Sequence, residues 1–178
     1  MGKPTLEQHD SMPDILGSTD FRFTFSRVPG SLGIDLEKFA LNCTQAVIPG
    51  ITINKMEQRF AGGHKLNYGA TSTFSGVAAM NFLERADSQT IKAMRTWLEA
   101  VRGTSSGNSI GYKKDYAVVG RLEIFDSPGN TAMELTLHNV FPQEFPEVQL
   151  DSTTEAQQIQ YPISFNYDWW KVTSVPLG

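Results

Sequence analysis

From Gln158 to Trp169 the chain alternates without a break. Odd positions are large and apolar: Ile159, Tyr161, Ile163, Phe165, Tyr167 and Trp169. Even positions are polar or proline: Gln158, Gln160, Pro162, Ser164, Asn166 and Asp168. A period of two sends successive side chains to opposite faces of a strand, so one face is buried and the other is wet. A strand over this whole segment, at about 3.3 Å per residue, would span roughly 40 Å, about twice an average strand. Such a length in a small chain predicts service to a structure larger than one domain. The wet face carries one formal charge, on Asp168, and is otherwise mostly amide and hydroxyl. A wall of that kind stays hydrated without gripping what moves past it.

The same reading extends upstream. Phe21, Phe23 and Phe25 alternate with Arg22, Thr24 and Ser26, a strand stopped by Pro29-Gly30. Residues 30–37 read as a loop and Lys38–Val47 as a strand. Ile51 and Ile53 open another strand that changes polarity at Lys55, Glu57 and Arg59, as a strand does when it leaves a core. Gly62-Gly63 turns it back through His64–Tyr68, so a projecting hairpin is expected, with 69–73 as a loop. Phe74, Ala78, Met80 and Phe82 share one parity and suggest the next strand, weakened at Gly76. Asp87-Ser88 reads as an N-cap, and Ile91, Met94, Leu98 and Val101 recur at helical spacing with Trp97 beside them, which predicts one helix over about 88–102. A glycine- and serine-rich loop follows. Ala117–Phe125 and a strand from Met133 to Phe141-Pro142 form a hairpin across Ser127–Asn130. The fold expected is mainly β: an antiparallel sandwich or barrel of seven to eight strands with one packed helix. Residues 1–20 read as an arm, either disordered or ordered on a neighbour, 21–172 as a single β domain, and 173–178 as a tail.

The chain has 178 residues, enough for one real core, and a net charge of −4, which argues against gripping nucleic acid by its phosphates. It does not argue against a surface that nucleic acid slides past. Cys43 is the sole cysteine, so no internal disulfide framework exists and a reducing cytoplasm suits it. The first 17 residues are polar, with Pro4 and Pro13, and are not expected to act as a secretion leader; no membrane anchor is expected either.

Chemistry is sparse. No nucleophile elbow, phosphate loop or dinucleotide fingerprint occurs. His9, His64 and His138 lie on separate segments without metal-pair spacing. Glu123 and Glu134 sit on strands expected to pair across the 127–130 hairpin, but solvated strand faces explain them better than a catalytic couple does. No catalytic residue, metal or cofactor is expected. Trp170 follows Trp169, so the two rings point to opposite faces and one of them leaves the core. Trp170 is read as the outward ring and as a contact anchor.

The order of elements, together with Tyr116–Asp126, Leu137–Pro142 and Ile159–Trp170, resembles the tail tube proteins of contractile-tailed bacteriophages, related to type VI secretion tubes. The resemblance covers about 21–172. It implies hexameric rings that stack into a helical tube around a continuous inner β-barrel. The tube is dressed by a tail sheath protein, filled by a tape-measure protein, started at a baseplate initiator, closed by a tail terminator, and traversed by double-stranded DNA. Four strands from each of six subunits, roughly 24 at 4.8 Å and tilted near 40°, enclose a circle about 48 Å across. Assembly in a host cytoplasm and residence in a virion follow from it. On this reading Arg59, Phe60, His64, Tyr68 and Trp170 are candidates for contacts between subunits or rings. Gln158, Gln160, Ser164, Asn166 and Asp168 are solvent-facing candidates for the lumen. A type VI or contractile-injection tube subunit shares the fold, and a monomeric ligand-binding β-barrel is the rival from another class.

Overall fold

The computed structural model describes residues 17–61, 63–103, 109–148 and 158–173. The expected arm before residue 17 and the tail after residue 173 lie outside them. The strands are Phe21–Ser26 (β1), Cys43–Ala46 (β2), Ile51–Arg59 (β3), Lys65–Phe74 (β4), Val77–Leu83 (β5), Arg102–Gly103 (β6), Ser109–Ile110 (β7), Val118–Phe125 (β8), Thr131–Glu144 (β9), Gln160–Asn166 (β10) and Trp169–Thr173 (β11). The helices are Leu36–Ala40 (α1), Gln89–Val101 (α2) and Lys113–Tyr116 (α3). The protein is therefore mainly β and antiparallel, as expected. It has more and shorter strands than expected and two short helices beside the long one.

Seven strands make one folded-over sheet in the order β1-β8-β9-β10-β5-β2, with β11 pairing β9 as well. Strand β9 belongs to two layers. Its first part pairs with β8 and β11, and its last residues pair with β10. Layer one is β1-β8-β9-β11; layer two is the end of β9 with β10, β5 and β2. The layers face each other across an aromatic core: Phe25 of β1 lies 5.9 Å from Phe165 of β10, and Trp97 of α2 touches both rings. Phe82, Phe165 and Trp97 are fully buried. Full burial of each such ring contributes on the order of 1.5–3 kcal/mol relative to exposure. Edge strands β1 and β2 are not paired to each other, so no closed barrel forms among the described residues.

The 158–169 alternation is buried as predicted at Tyr161, Ile163, Phe165 and Tyr167. The strand then breaks at Tyr167-Asp168, where the chain passes from layer two to layer one. Beside this break β9 turns the same corner through Asn139, whose φ of 57° is left-handed, a conformation asparagine tolerates better than most residues. The alternation loses its phase there. Trp169, not Trp170, is the outward ring, while Trp170 is half-buried against Phe74 at 6.3 Å.

Other boundaries moved for identifiable reasons. The strand expected from Lys38 begins only at Cys43, because Leu36, Phe39 and Ala40 are buried at helical spacing behind Asp35, whose carboxylate accepts from the Lys38 amide at 3.1 Å. Residues 69–73 are not a loop but part of β4, and Phe74 ends that strand; the break comes at Gly76, with a φ of 73°. Strand β9 runs through Phe141-Pro142 to Glu144, since that part of it is an edge, where proline is tolerated. Helix α2 matches its predicted span, but Ser88 is left-handed and makes no side-chain cap bond. Glu84 caps it instead, accepting from the amides of Thr90 (3.2 Å) and Ile91 (3.0 Å), a favourable place for a carboxylate. Gly111 packs so close to this helix that a Cβ would meet the Ala100 carbonyl oxygen.

Candidate assembly surfaces

The two outward faces of the sandwich differ in kind. On layer two, the outward side chains of β2, β5 and β10 include Gln45, Ala79, Asn81, Gln160, Pro162, Ser164 and Asn166, and none is charged. Asn81 Nδ2 donates to Gln45 Oε1 at 2.7 Å, so amides satisfy one another along the surface. Glu144, opposite Ser164, adds a carboxylate at the edge. Gln158 and Gln160 are exposed, and Ser164 and Asn166 are half-buried.

On layer one the outward rows are ionic and aromatic. The strands of Glu123 and Glu134 pair, as the hairpin reading predicted, and the register sets the two carboxylates directly opposite each other. Like charges in that position repel unless compensated. Each has its own guanidinium: Arg22 Nε is 2.7 Å from Glu123, and Arg121 Nε is 3.3 Å from Glu134. The hydrogen bond from Arg22 and the Glu123 charge push the Arg22 pKa up. The next row holds Lys171 opposite Thr136, and beyond it His138 stacks on Trp169 with centroids 3.7 Å apart. Burial, and then Lys171 and Arg27, lower the His138 pKa. This surface went unread in the sequence, although the polar even positions of β1 signalled a wet face there.

Asp168 belongs to neither wall. It stands at the corner between β10 and β11, where Lys113 Nζ donates to it at 2.6 Å and Asn139 Nδ2 at 2.6 Å. Burial alone would raise its pKa, but the hydrogen bonds from Lys113 and Asn139 and the Lys113 charge together hold it below the usual carboxylate range. Its amide donates to the His138 carbonyl at 3.0 Å, and the Tyr167 hydroxyl shares a 2.7 Å hydrogen bond with Ser75. Asp168 therefore fastens the crossing of the two layers.

The β3–β4 hairpin projects, as expected, and every residue of β3 is exposed. Arg59, Phe60 and His64 lie at its outer end, where the Phe60 amide donates to the His64 carbonyl at 3.0 Å, and Tyr68 lies three pairs further in, opposite Met56. Trp170 is apart from them, against the base of the hairpin at Phe74. Cys43 is half-buried and burial pushes its pKa up to about 12, which disfavours the thiolate in the folded chain. Among the described residues no group of histidine, cysteine and carboxylate side chains converges on a metal-binding geometry.

The family model for phage tail tube proteins matches residues 18–173. The chain belongs to the phage tail tube family. A search of curated proteins finds no match in sequence. Among solved structures, this tube protein is similar to a chain of the PVC sheath–tube complex of an extracellular contractile injection system in its extended state, with a TM-score of 0.66 and 11% identity over 97% of this chain and 100% of that one. It is also similar to a chain of the anti-feeding prophage cap, the AFP tube terminating cap, with a TM-score of 0.68 and 13% identity over 93% and 95%. A chain of the six-fold-symmetrised AFP baseplate gives 0.62 and 13% over 93% and 100%. At these identities the likeness is one of fold. The tube protein shares the sandwich, and the family assigns it a structural role.

Proposed function

We propose that this chain is the subunit of a contractile-tail tube whose hexameric rings stack into a hollow conduit for double-stranded DNA during ejection. The single observation that carries this reading is the contrast between the two outer faces. Layer two offers four strands per subunit, open edges and a surface of amides and hydroxyls with a single carboxylate, Glu144, at its edge. Six copies joined edge to edge complete a bore in which Gln160, Ser164 and Asn166 line the wall, with Gln158 at its margin. A neutral wall lets a polyanion pass, where clustered cations would hold it by its phosphates. Layer one, ionic and aromatic, faces outward to the contractile sheath. The hairpin end at Arg59, Phe60, His64 and Tyr68 joins subunits, and the Trp170 region braces its base. Joining identical edges into a ring also removes the exposed strands that would otherwise aggregate.

On this reading a tape-measure protein occupies the bore before ejection, an initiator on the baseplate starts the tube and a terminator closes it. Assembly takes place in the host cytoplasm and the product resides in the virion. The work is mechanical and needs no catalytic group. In a type VI tube or an injection particle the same subunit geometry would carry a protein payload in place of DNA.

Sidedness is testable on assembled tubes. Single cysteines at Ser164 and at Thr24, in a Cys43→Ser background, are challenged with a maleimide too bulky to enter the bore. Thr24→Cys should label and Ser164→Cys should be protected until the tubes are dissociated. The reverse pattern would overturn the assignment of faces. Persistent single particles under negative stain, even with baseplate components present, would overturn the tube reading itself.

A further inference from the structure

Two tyrosines of the C-terminal alternation are buried, and they differ in one respect. Tyr161 and Tyr167 both lie on its core side, 6% and 4% exposed. The Tyr167 hydroxyl shares its hydrogen bond with Ser75. The Tyr161 ring packs on Phe145 at 4.9 Å, but its hydroxyl has no hydrogen-bond partner among the described residues. A buried tyrosine hydroxyl ordinarily finds one. Tyr161 opens instead onto a cavity of about 540 Å³, where the end of β5, the start of α2 and the start of β10 meet. That volume lies in the range of small-molecule sites.

Two charged residues stand in the cavity wall, in different states. Glu84 is satisfied. Its carboxylate accepts from the amides of Arg85 (3.2 Å), Thr90 (3.2 Å) and Ile91 (3.0 Å), at a helix start that favours negative charge. Arg85 is held in place but not satisfied. Its Nε donates to Asn42 Oδ1 at 2.6 Å, and Asn42, which is buried, is itself tied to the Thr90 hydroxyl at 3.5 Å. Among the described residues the two terminal nitrogens of Arg85 have no partner. A guanidinium anchored through Nε presents its remaining N–H groups in a fixed fork, and that fork suits a carboxylate. Burial, and then the Glu84 charge, raise the Tyr161 pKa, so the hydroxyl keeps its proton and can donate. Ile91, Ile159 and Val148 make the wall apolar beside these groups.

We propose that this cavity binds a small organic monocarboxylate with an apolar body. Arg85 and Tyr161 donate to its carboxylate, and Ile91, Ile159 and Val148 enclose the body. Glu84 close by disfavours a second negative charge on the ligand. The site lies apart from both outward faces, and the tube reading neither requires it nor is required by it. A bound acid joins α2 to the start of β10 and stabilises the folded chain by mass action.

The test titrates the dispersed full-length chain with sodium octanoate, using calorimetry and two-dimensional NMR, with octanamide as the uncharged probe of the same shape. Octanoate should saturate at one per chain, raise the thermal midpoint as its concentration rises, and show through-space contacts from its methyl end to the Ile91 and Ile159 methyls. Octanamide should bind about 10-fold more weakly or worse. Tyr161→Phe keeps the ring and should weaken octanoate about 3–10-fold; Arg85→Met should weaken it about 10–100-fold and affect octanamide much less. Absence of saturable binding below about 10 mM, or an affinity that both variants leave unchanged, overturns the proposal. Should Arg85→Met disturb folding, seen by circular dichroism, Tyr161→Phe and the wild-type contacts decide. An unchanged affinity in Tyr161→Phe, or octanoate contacts elsewhere in place of Ile91 and Ile159, overturns it equally. None of these outcomes touches the tube reading.

Discussion

Asp168→Ala isolates the corner where the chain crosses between layers. The substitution removes the acceptor for Lys113 Nζ and Asn139 Nδ2, both at 2.6 Å. A hydrogen bond to a charged group contributes about 1.5–3 kcal/mol where it is shielded, and an exposed ion pair about 0–1 kcal/mol. The Lys113 and Asp168 side chains are 46% and 41% exposed, so the ion pair belongs at the low end. Together the two contacts contribute about 1–2 kcal/mol. With a urea slope of about 2 kcal/mol/M, the midpoint should fall by roughly 0.5–1 M when the dispersed chain is followed by tryptophan fluorescence at neutral pH. The pH dependence has a definite sign. The folded Asp168 pKa is depressed, so its contribution is complete above the unfolded carboxylate value of about 3.9 and is lost as pH falls through the lower folded value. The gap between wild type and Asp168→Ala should thus hold from about pH 5 to pH 8 and close below about pH 4. Asn139→Ala should cost about 1 kcal/mol more than Asn139→Gly, because alanine resists the left-handed φ that glycine accepts. Equal midpoints for wild type and Asp168→Ala at pH 7, or a gap that persists unchanged to pH 2, would refute this account of the corner.

Three further outcomes follow from the packing. Phe165→Ala empties the ring cluster with Phe25, Phe82 and Trp97 and should cost about 3–5 kcal/mol, whereas Tyr68→Ala on the exposed hairpin should change the stability of the dispersed chain by less than about 0.5 kcal/mol; chemical denaturation checks both. Arg22→Ala leaves Glu123 facing Glu134 without its guanidinium, so the variant's melting temperature should gain more from added salt than the wild type's does, measured between about 0.02 M and 0.5 M. Cys43 should stay unreactive toward an aromatic disulfide reagent at pH 8 while the chain is folded and react fully once it unfolds, since burial holds its pKa up to about 12.

Periodicity carried most of what could be read before any coordinates. The buried face at Tyr161, Ile163, Phe165 and Tyr167, the helix over Gln89–Val101 and the hairpin that leaves the core at Lys55 each follow from spacing within one segment, and each is local. The same local logic was available but passed over at Leu36–Ala40, where Asp35 and the buried spacing of Leu36, Phe39 and Ala40 mark a helical turn. Where a strand ends, by contrast, depends on its partner. Residues 69–73 have a loop-like composition and still pair with β3, and Pro142 stays in β9 because one side of that strand is free.

Sequence alone determined that this chain is a β protein with one long amphipathic helix, a wet face near its C-terminus whose one formal charge is Asp168, and a polarity switch in its projecting hairpin. Tertiary structure decided which of two adjacent tryptophans points outward, that the long alternation folds over at Asp168, and that one extra residue on β4 opposite Asn54 resets that strand's phase so that Leu66 and Tyr68 share the face of Met56. The physical reason is the period of two. Alternation assigns every side chain to one of two faces, but which face meets the core is set by pairing across strands distant in sequence. A single bulge or bend reverses that choice for all the residues beyond it.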